Sequence, residues 1–188
     1  MHGFHTSHGL LNSFVSSSSL QLRPKRMEFV GDSLTCGYGN EGTAPCHFSP
    51  DTENALASFA GMTADHFGAE EQLICWSGRG VVRNYGAPNI TSPDPMPIFY
   101  NRTLASQPLP VYPIATAYKP EVVVVMLGSN DYSTSPHPPA EIFMAGYNKL
   151  LQHIRSVHPE SYIVSVPRHS FGDADLGGLV DCASNVRR

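Results

Sequence analysis

Short apolar segments alternate with longer polar or amphipathic segments along the central part of the chain. Apolar runs at 27–30, 73–76, 122–127 and 162–166 have the length and residue types of buried β-strands. Segments 52–67 and 140–157 repeat apolar residues at helical spacing, and Gly68 is a predicted helix stop. In the first of them, Leu56, Phe59, Ala60, Thr63 and Phe67 are predicted to share one side of the helix.

Strands that alternate with helices predict an α/β protein with a parallel sheet. The run 122–127 is apolar at every position, which is typical of a central strand covered by helices on both faces. Segment 84–119 is rich in proline, which excludes a regular strand or a long helix over most of it. We expect this segment to be a surface loop that either walls a cleft or serves only as a connector.

Length and charge narrow the class of protein. The chain has 188 residues and a formal net charge of -4, which fits one domain and offers no basic stripe for nucleic acid. No apolar run reaches the roughly 20 residues of a membrane span, and the first 26 residues lack the apolar core of a signal peptide. We expect a loose leader at 1–26, a hydrolase domain at 27–188 and a monomer, with the compartment left open.

Three predicted strands end in turns that carry small or reactive residues. Ser33 follows the first strand, Gly78 follows the second, and Asn130 follows the third. Because the carboxyl ends of parallel strands meet at one edge of a sheet, these turns are expected to form one crevice. A serine attacks a carbonyl group only when a base takes its proton and donors stabilise the oxyanion. The backbone N–H groups of Ser33 and Gly78 and the amide of Asn130 are such donors.

Simpler explanations exist for each motif taken alone. A serine after a strand is often only a turn or helix N-cap residue. The glycines of 37–42 satisfy the G-x-G-x-x-G pattern, but Gly-Asp-Ser intervenes after the strand and Pro45 follows where a helix should begin. That context excludes a dinucleotide site, and no cofactor is expected.

Taken together, the blocks 31–33, 77–80 and 128–131 resemble the SGNH or GDSL hydrolase superfamily. Within it, the longer strings 28–42 and 76–85 look like carbohydrate esterase family two. The resemblance implies a flavodoxin-like three-layer α/β/α sandwich and removal of O-acetyl groups from polysaccharides such as xylan or glucomannan. It also implies Ser33 as nucleophile and Gly78 and Asn130 in the oxyanion hole.

We predict that the substrate is an acetylated polysaccharide or oligosaccharide and that it contacts Asp32, Tyr38, Trp76 and Tyr85. Aromatic side chains among these are candidates for stacking on sugar rings. The resembled family is secreted. Two other functions stay open at this point: a GDSL-type lipase acting on longer acyl esters, and a glycan-binding protein without catalytic activity.

The chain departs from the superfamily pattern in its base. No aspartate is followed three places on by a histidine, and the β-sandwich that precedes the catalytic domain in the resembled family has no counterpart in 1–26. We therefore expect a chain shortened at both ends, with the C-terminal part of the fold missing. His169, after the fourth strand, is the first candidate for the base, and His137 is the second.

The cysteines do not have the spacing of a zinc site, so no metal is expected. Cys36 and Cys46 are close enough in sequence to form a short disulfide if the protein is exported, while Cys75 is predicted to be a small buried apolar residue.

Overall fold

A computed structural model of the chain describes residues 25–43 and 48–166. Within them, four parallel strands form one sheet in the order β2-β1-β3-β4. The strands are β1 (Lys25–Gly31), β2 (Ala69–Cys75), β3 (Val122–Met126) and β4 (Tyr162–Ser165). This confirms the predicted parallel α/β fold, although β1 begins two residues before the predicted domain boundary.

Helices connect the strands and cover both faces of the sheet. The helices are α1 (Ser33–Cys36), α2 (Phe59–His66), α3 (Met96–Phe99), α4 (Ile114–Ala117), α5 (Ser129–Tyr132) and α6 (Ala140–Val157). None of the helices in the described ranges is both long and apolar enough to cross a bilayer.

The alternation of side chains along the strands builds two apolar clusters. On one face, Val30 and Val125 pack with the buried side of α6, which includes Phe143, Leu150 and Ile154. On the other face, the cluster contains residues of β1, β3 and α2, namely Phe29, Val124, Ala60 and Ala64. The sheet is therefore the middle of three layers, as predicted.

Three predicted elements differ from the structure. The strand predicted at 73–76 begins four residues earlier, because β2 spans Ala69–Cys75. The helix predicted at 52–67 is broken into 3₁₀ turns at Pro50–Thr52 and Ala55–Ala57, and α2 begins only at Phe59. Ser58 caps α2 by accepting a hydrogen bond from the Ala60 N–H, and Leu56 is consequently exposed instead of buried. The proline-rich segment 84–119 is mostly loop, but it also contains the short helices α3 and α4.

Candidate active site

The carboxyl ends of β1, β2 and β3 open into one cleft of about 550 Å³. Each of these strands is followed by one of the turns identified in the sequence. The cleft is lined by Ser33, Tyr38, Phe48, Trp76, Ser77, Gly78, Tyr85, Ser129, Asn130 and Ser133. The structure thus brings together Ser33, Gly78 and Asn130, which are far apart in the sequence.

Ser33 is the first residue of α1 and follows Asp32, which itself follows the buried end of β1. The Asp32 side chain caps this helix, accepting a hydrogen bond from the Leu34 N–H at 3.1 Å. Gly31 has no room for a side chain, because an added Cβ would lie 1.9 Å from the Thr35 hydroxyl oxygen. The strand-to-helix turn that presents Ser33 to the cleft is therefore tightly packed.

Asp32 lies behind the cleft, which differs from the prediction that it contacts substrate. Its side chain is buried, and its carboxylate accepts hydrogen bonds from the Ser129 hydroxyl and, at 3.3 Å, from the Asn130 amide. A carboxylate can accept several hydrogen bonds at once. Asp32 is thus held in place to orient its neighbours, and it is not among the residues that line the cleft.

Asn130 and Gly78 are positioned by further contacts. The Asn130 amide donates a hydrogen bond to the Arg79 carbonyl at 2.9 Å, which joins the loop after β3 to the loop after β2. Gly78 adopts a φ of +80°, a conformation that L side chains rarely adopt. Its carbonyl accepts a hydrogen bond from the Tyr85 N–H at 2.9 Å. In the same loop, the Ser77 hydroxyl donates a hydrogen bond to the Glu53 carboxylate.

Asp131 stabilises the loop after β2, a role that the sequence analysis did not identify. Its fully buried carboxylate accepts hydrogen bonds from the backbone N–H groups of Val81, Val82 and Arg83 at 2.8 to 2.9 Å. Burial, partly offset by these hydrogen bonds, raises the pKa of Asp131 to about 6. The sequence offered one indication of this role, because Asp131 directly follows Asn130 in the block 128–131 after the third strand.

Arg83 was also missed, and it is the largest fully buried side chain in the described part of the chain. Its guanidinium donates hydrogen bonds to the carbonyl oxygens of Ala87, Asn89 and Ser135. It also donates to the Thr134 hydroxyl at 3.0 Å. These hydrogen bonds join the loop after β2 to the loop after β3. The buried Arg83 side chain therefore holds the two loops that line the cleft in a fixed relative position.

Cys36 forms a disulfide with Cys75, with the two Cα atoms 5.6 Å apart. The predicted pairing of Cys36 with Cys46 and the prediction of an unpaired Cys75 were therefore wrong. The physical reason is the sheet: β1 and β2 are adjacent and parallel, so the residues after β1 lie beside the end of β2. Cys46 lies outside the described residues.

Aromatic side chains form the rim of the cleft. Tyr38 stacks against Phe48, with ring centroids 5.8 Å apart, and Tyr85 is largely exposed. Trp76 packs against Phe99, whose ring centroid is 5.6 Å away. Tyr38, Trp76 and Tyr85 thus line the cleft, and their contact with substrate stays a prediction. Phe48 was not identified, because its place in the cleft depends on the stacking contact with Tyr38.

The cleft lining contains no histidine among the residues that the structure describes. His137 is exposed and packs against Tyr132, away from the lining residues. His169, the first candidate for the base, lies outside the described residues. Within the described ranges, no three His, Cys, Asp or Glu side chains are arranged to hold a metal ion.

Comparisons with known proteins agree with this geometry. Residues 29–185 match the model of the GDSL-like Lipase/Acylhydrolase family. The chain is 38% identical over 141 residues to the cellulase/esterase CelE of Acetivibrio thermocellus, covering 74% of this chain and 16% of that protein. It is also 38% identical over 122 residues to an acetylxylan esterase / glucomannan deacetylase of Cellvibrio japonicus, covering 62% of this chain and 32% of that protein.

A solved structure gives the same result in three dimensions. The chain resembles a family two carbohydrate esterase from Clostridium thermocellum, in complex with cellohexaose, with a TM-score of 0.75 and 32% identity. The match covers 87% of this chain and 49% of that one, so the chain spans less than half the length of these relatives. With its family match over 29–185 and its three strand-end motifs on one cleft, the chain belongs to the GDSL-like Lipase/Acylhydrolase family.

Proposed function

We propose that the chain is a serine esterase that removes O-acetyl groups from plant cell-wall polysaccharides through an acyl-enzyme. The observation that carries this proposal is the shared cleft of Ser33, Gly78 and Asn130. A hydroxyl group lies there with a backbone N–H and a side-chain amide, which are the nucleophile and the oxyanion donors that acyl transfer requires in addition to a base.

In the proposed reaction, the Ser33 oxygen attacks the acetyl carbonyl carbon while its proton passes to a base. The carbonyl oxygen becomes an oxyanion, which is stabilised by the N–H groups of Ser33 and Gly78 and by the Asn130 amide. The amide exchanges its longer hydrogen bond, at 3.3 Å to Asp32, for one to the oxyanion, because both of its hydrogens are otherwise donated. The carbon–oxygen bond to the sugar then breaks, and the sugar oxygen takes the proton from the base. Water attacks the acetyl-serine in the same way, which releases acetate and restores Ser33.

We assign the base to His169. It follows β4, whose carboxyl end lies at the same edge of the sheet as the cleft. His137 serves as the comparison, because its exposed ring packs against Tyr132. Loss of a triad base costs on the order of 10⁴–10⁶ in turnover. His169→Ala is therefore expected to abolish acetate release and His137→Ala to leave it within about twofold, whereas the reverse pattern would exclude His169 as the base.

An acetylated polysaccharide is supported as substrate by the aromatic rim and by the relatives. Tyr38, Trp76 and Tyr85 expose ring surface on the walls of an open cleft, and apolar sugar faces pack on such rings. The relatives from Cellvibrio japonicus, each an acetylxylan esterase / glucomannan deacetylase, act on the same class of substrate.

The deciding experiment measures acetate release from acetylated xylan and glucomannan by the wild-type chain and by Ser33→Ala. We expect release by the wild type only. Hydrolysis of p-nitrophenyl acetate, butyrate and octanoate separates a deacetylase from a lipase, because a pocket for two carbons loses rate as the acyl chain grows. Equal rates for Ser33→Ala and wild type would exclude Ser33 from the mechanism.

A second candidate is a glycan-binding protein without turnover. It is favoured by one observation: the cleft lining in the described residues holds donors and a hydroxyl group but no histidine. Calorimetric binding of acetylated xylan without acetate release would support this candidate, and acetate release would exclude it.

A further inference from the structure

A second cavity, of about 300 Å³, lies against the edge strand β2 on the far side of the Trp76–Phe99 contact. It shares no lining residue with the active-site cleft. Its walls come from β2, from α3 and from the loop after α3, and include Gln72, Phe99, Arg102, Thr103, Ala105 and Tyr112. A volume near 300 Å³ is at the small end of ligand sites and suits a single sugar ring.

Arg102 is the cation of this cavity, and the fold holds it in one orientation. Its guanidinium carbon lies 4.3 Å from the centre of the Phe99 ring, and its Nη1 atom donates a hydrogen bond to the Ala105 carbonyl at 2.8 Å. Its backbone forms an antiparallel bridge with Val111, which closes the loop between them. An arginine fixed in this way loses little conformational entropy when it binds a ligand.

Arg102 also lacks a carboxylate partner among the described residues. Arg79 offers a direct comparison, because it packs on the same Phe99 ring, 4.4 Å from its centre. Arg79 is paired with the Asp94 carboxylate at 2.6 Å, whereas no ion pair joins Arg102 to any acid in the described ranges. The lining of the cavity contains no Asp or Glu either. One arginine on this ring is neutralised, and the other is available to an anion.

The rest of the lining favours a sugar acid over a simple inorganic anion. The Tyr112 hydroxyl and the Gln72 side chain form a polar pair, with the Tyr112 oxygen 3.0 Å from Gln72 Oε1. Ala105, Met96 and Phe99 provide apolar wall for the carbon–hydrogen face of a ring. The flat fork of a guanidinium matches the two oxygens of a carboxylate.

We propose that this cavity is a binding site for the carboxylate of a uronic acid, held by Arg102. The choice of a sugar acid among carboxylates rests on the proposed function, under which the chain acts on sugar polymers. The site itself does not depend on catalysis, because the cavity and the active-site cleft are separated by the Trp76–Phe99 pair.

The test is a nuclear magnetic resonance titration of the ¹⁵N-labelled chain carrying Ser33→Ala, which lacks the proposed nucleophile. The probes are glucuronate, glucose as the neutral ring and acetate as the bare carboxylate. We expect glucuronate to bind at least roughly tenfold more tightly than either control, with shifts in the amides of β2 and of residues 99–105. Arg102→Gln is expected to weaken glucuronate binding at least tenfold, and Arg102→Lys by less.

Lys149→Gln is the matched control, because it also removes one positive charge but lies on the exposed side of α6. It should leave glucuronate binding unchanged. Equal affinity for acetate and glucuronate, unchanged binding by Arg102→Gln, or equal weakening by Lys149→Gln would each overturn the proposal. Failure of the esterase proposal is distinguishable, because it would appear as absent acetate release while Arg102-dependent glucuronate binding persists.

Discussion

The amide of Asn130 lies 3.3 Å from the carboxylate of Asp32, so the predicted oxyanion donor is tied to the residue directly before the predicted nucleophile. The same carboxylate accepts hydrogen bonds from the Leu34 N–H and the Ser129 hydroxyl. One buried side chain therefore fixes the relative position of the β1 and β3 loops. The position of Ser33 relative to Asn130 therefore depends on the contact between these two loops.

Asp32→Asn is expected to lower kcat by about tenfold to a hundredfold with little change in KM, because an amide cannot accept as many hydrogen bonds as a carboxylate. Loss of an oxyanion donor outright costs about 10²–10³ in turnover, and a misplaced donor should cost less. The measurement is p-nitrophenyl acetate kinetics. Ser129→Ala is the control, since it removes one of these hydrogen bonds and keeps the carboxylate. If KM rose while kcat held, Asp32 would contact substrate after all.

The Cys36–Cys75 disulfide joins the helix of Ser33 to the strand that leads to Gly78. Reduction by a dithiol, or the double variant Cys36→Ala/Cys75→Ala, is expected to lower both the melting temperature and kcat. A disulfide typically contributes about 2–4 kcal/mol. Activity of the double variant should be insensitive to the dithiol. Mass spectrometry of peptides prepared without reduction checks the pairing, and a Cys36–Cys46 peptide would contradict it.

Asp131 is expected to make stability depend on pH. Burial raises its pKa to about 6 in the folded chain, against 3.8 as the reference for the unfolded chain. Between these values the folded state binds more protons, so the contribution of Asp131 is full below pH 3.8 and is lost as pH rises through 6. The loss is on the order of 3 kcal/mol.

Denaturant unfolding of the wild type and of Asp131→Asn at pH 4.5 and 7.5 measures this effect. Asn cannot titrate, and it weakens the hydrogen bonds to the loop 81–83 at every pH. The stability advantage of the wild type should therefore be larger at pH 4.5 than at pH 7.5. An advantage that is larger at pH 7.5 would show that the hydrogen bonds to the ionised carboxylate outweigh its burial.

Tyr85 is expected to contribute to polysaccharide binding and not to chemistry, because the residue is 64% exposed and lies on the wall of the cleft. Tyr85→Ala should raise KM for acetylated xylan several-fold and leave p-nitrophenyl acetate hydrolysis within about twofold. A packing contact on an aromatic ring is worth roughly 1 kcal/mol, which is a factor of about five. Tyr162→Ala is the matched control, an exposed tyrosine on β4 outside the cleft lining.

A feature of the fold could be predicted from the sequence when the interactions that form it join residues close together in the chain. The strands and α6 were predictable, because their apolar periodicity is local and strong. The helix predicted at 52–67 was too long, because the Ser58 side chain caps α2 and the helix begins only at Phe59. A side-chain cap is a local contact that apolar periodicity does not reveal. The candidate residues Ser33, Gly78 and Asn130 were found because each lies within three residues of the end of a predicted strand and because their three blocks together resemble one superfamily.

By itself, the sequence determined the α/β class, the parallel sheet and the three turns that carry Ser33, Gly78 and Asn130, since all of these follow from neighbours along the chain. Only the tertiary structure decided that Asp32 faces inward, that Cys36 pairs with Cys75, and that Asp131 holds the loop after β2. The physical reason is that these contacts join residues 39 to 98 positions apart, and only the strand order brings them within bonding distance.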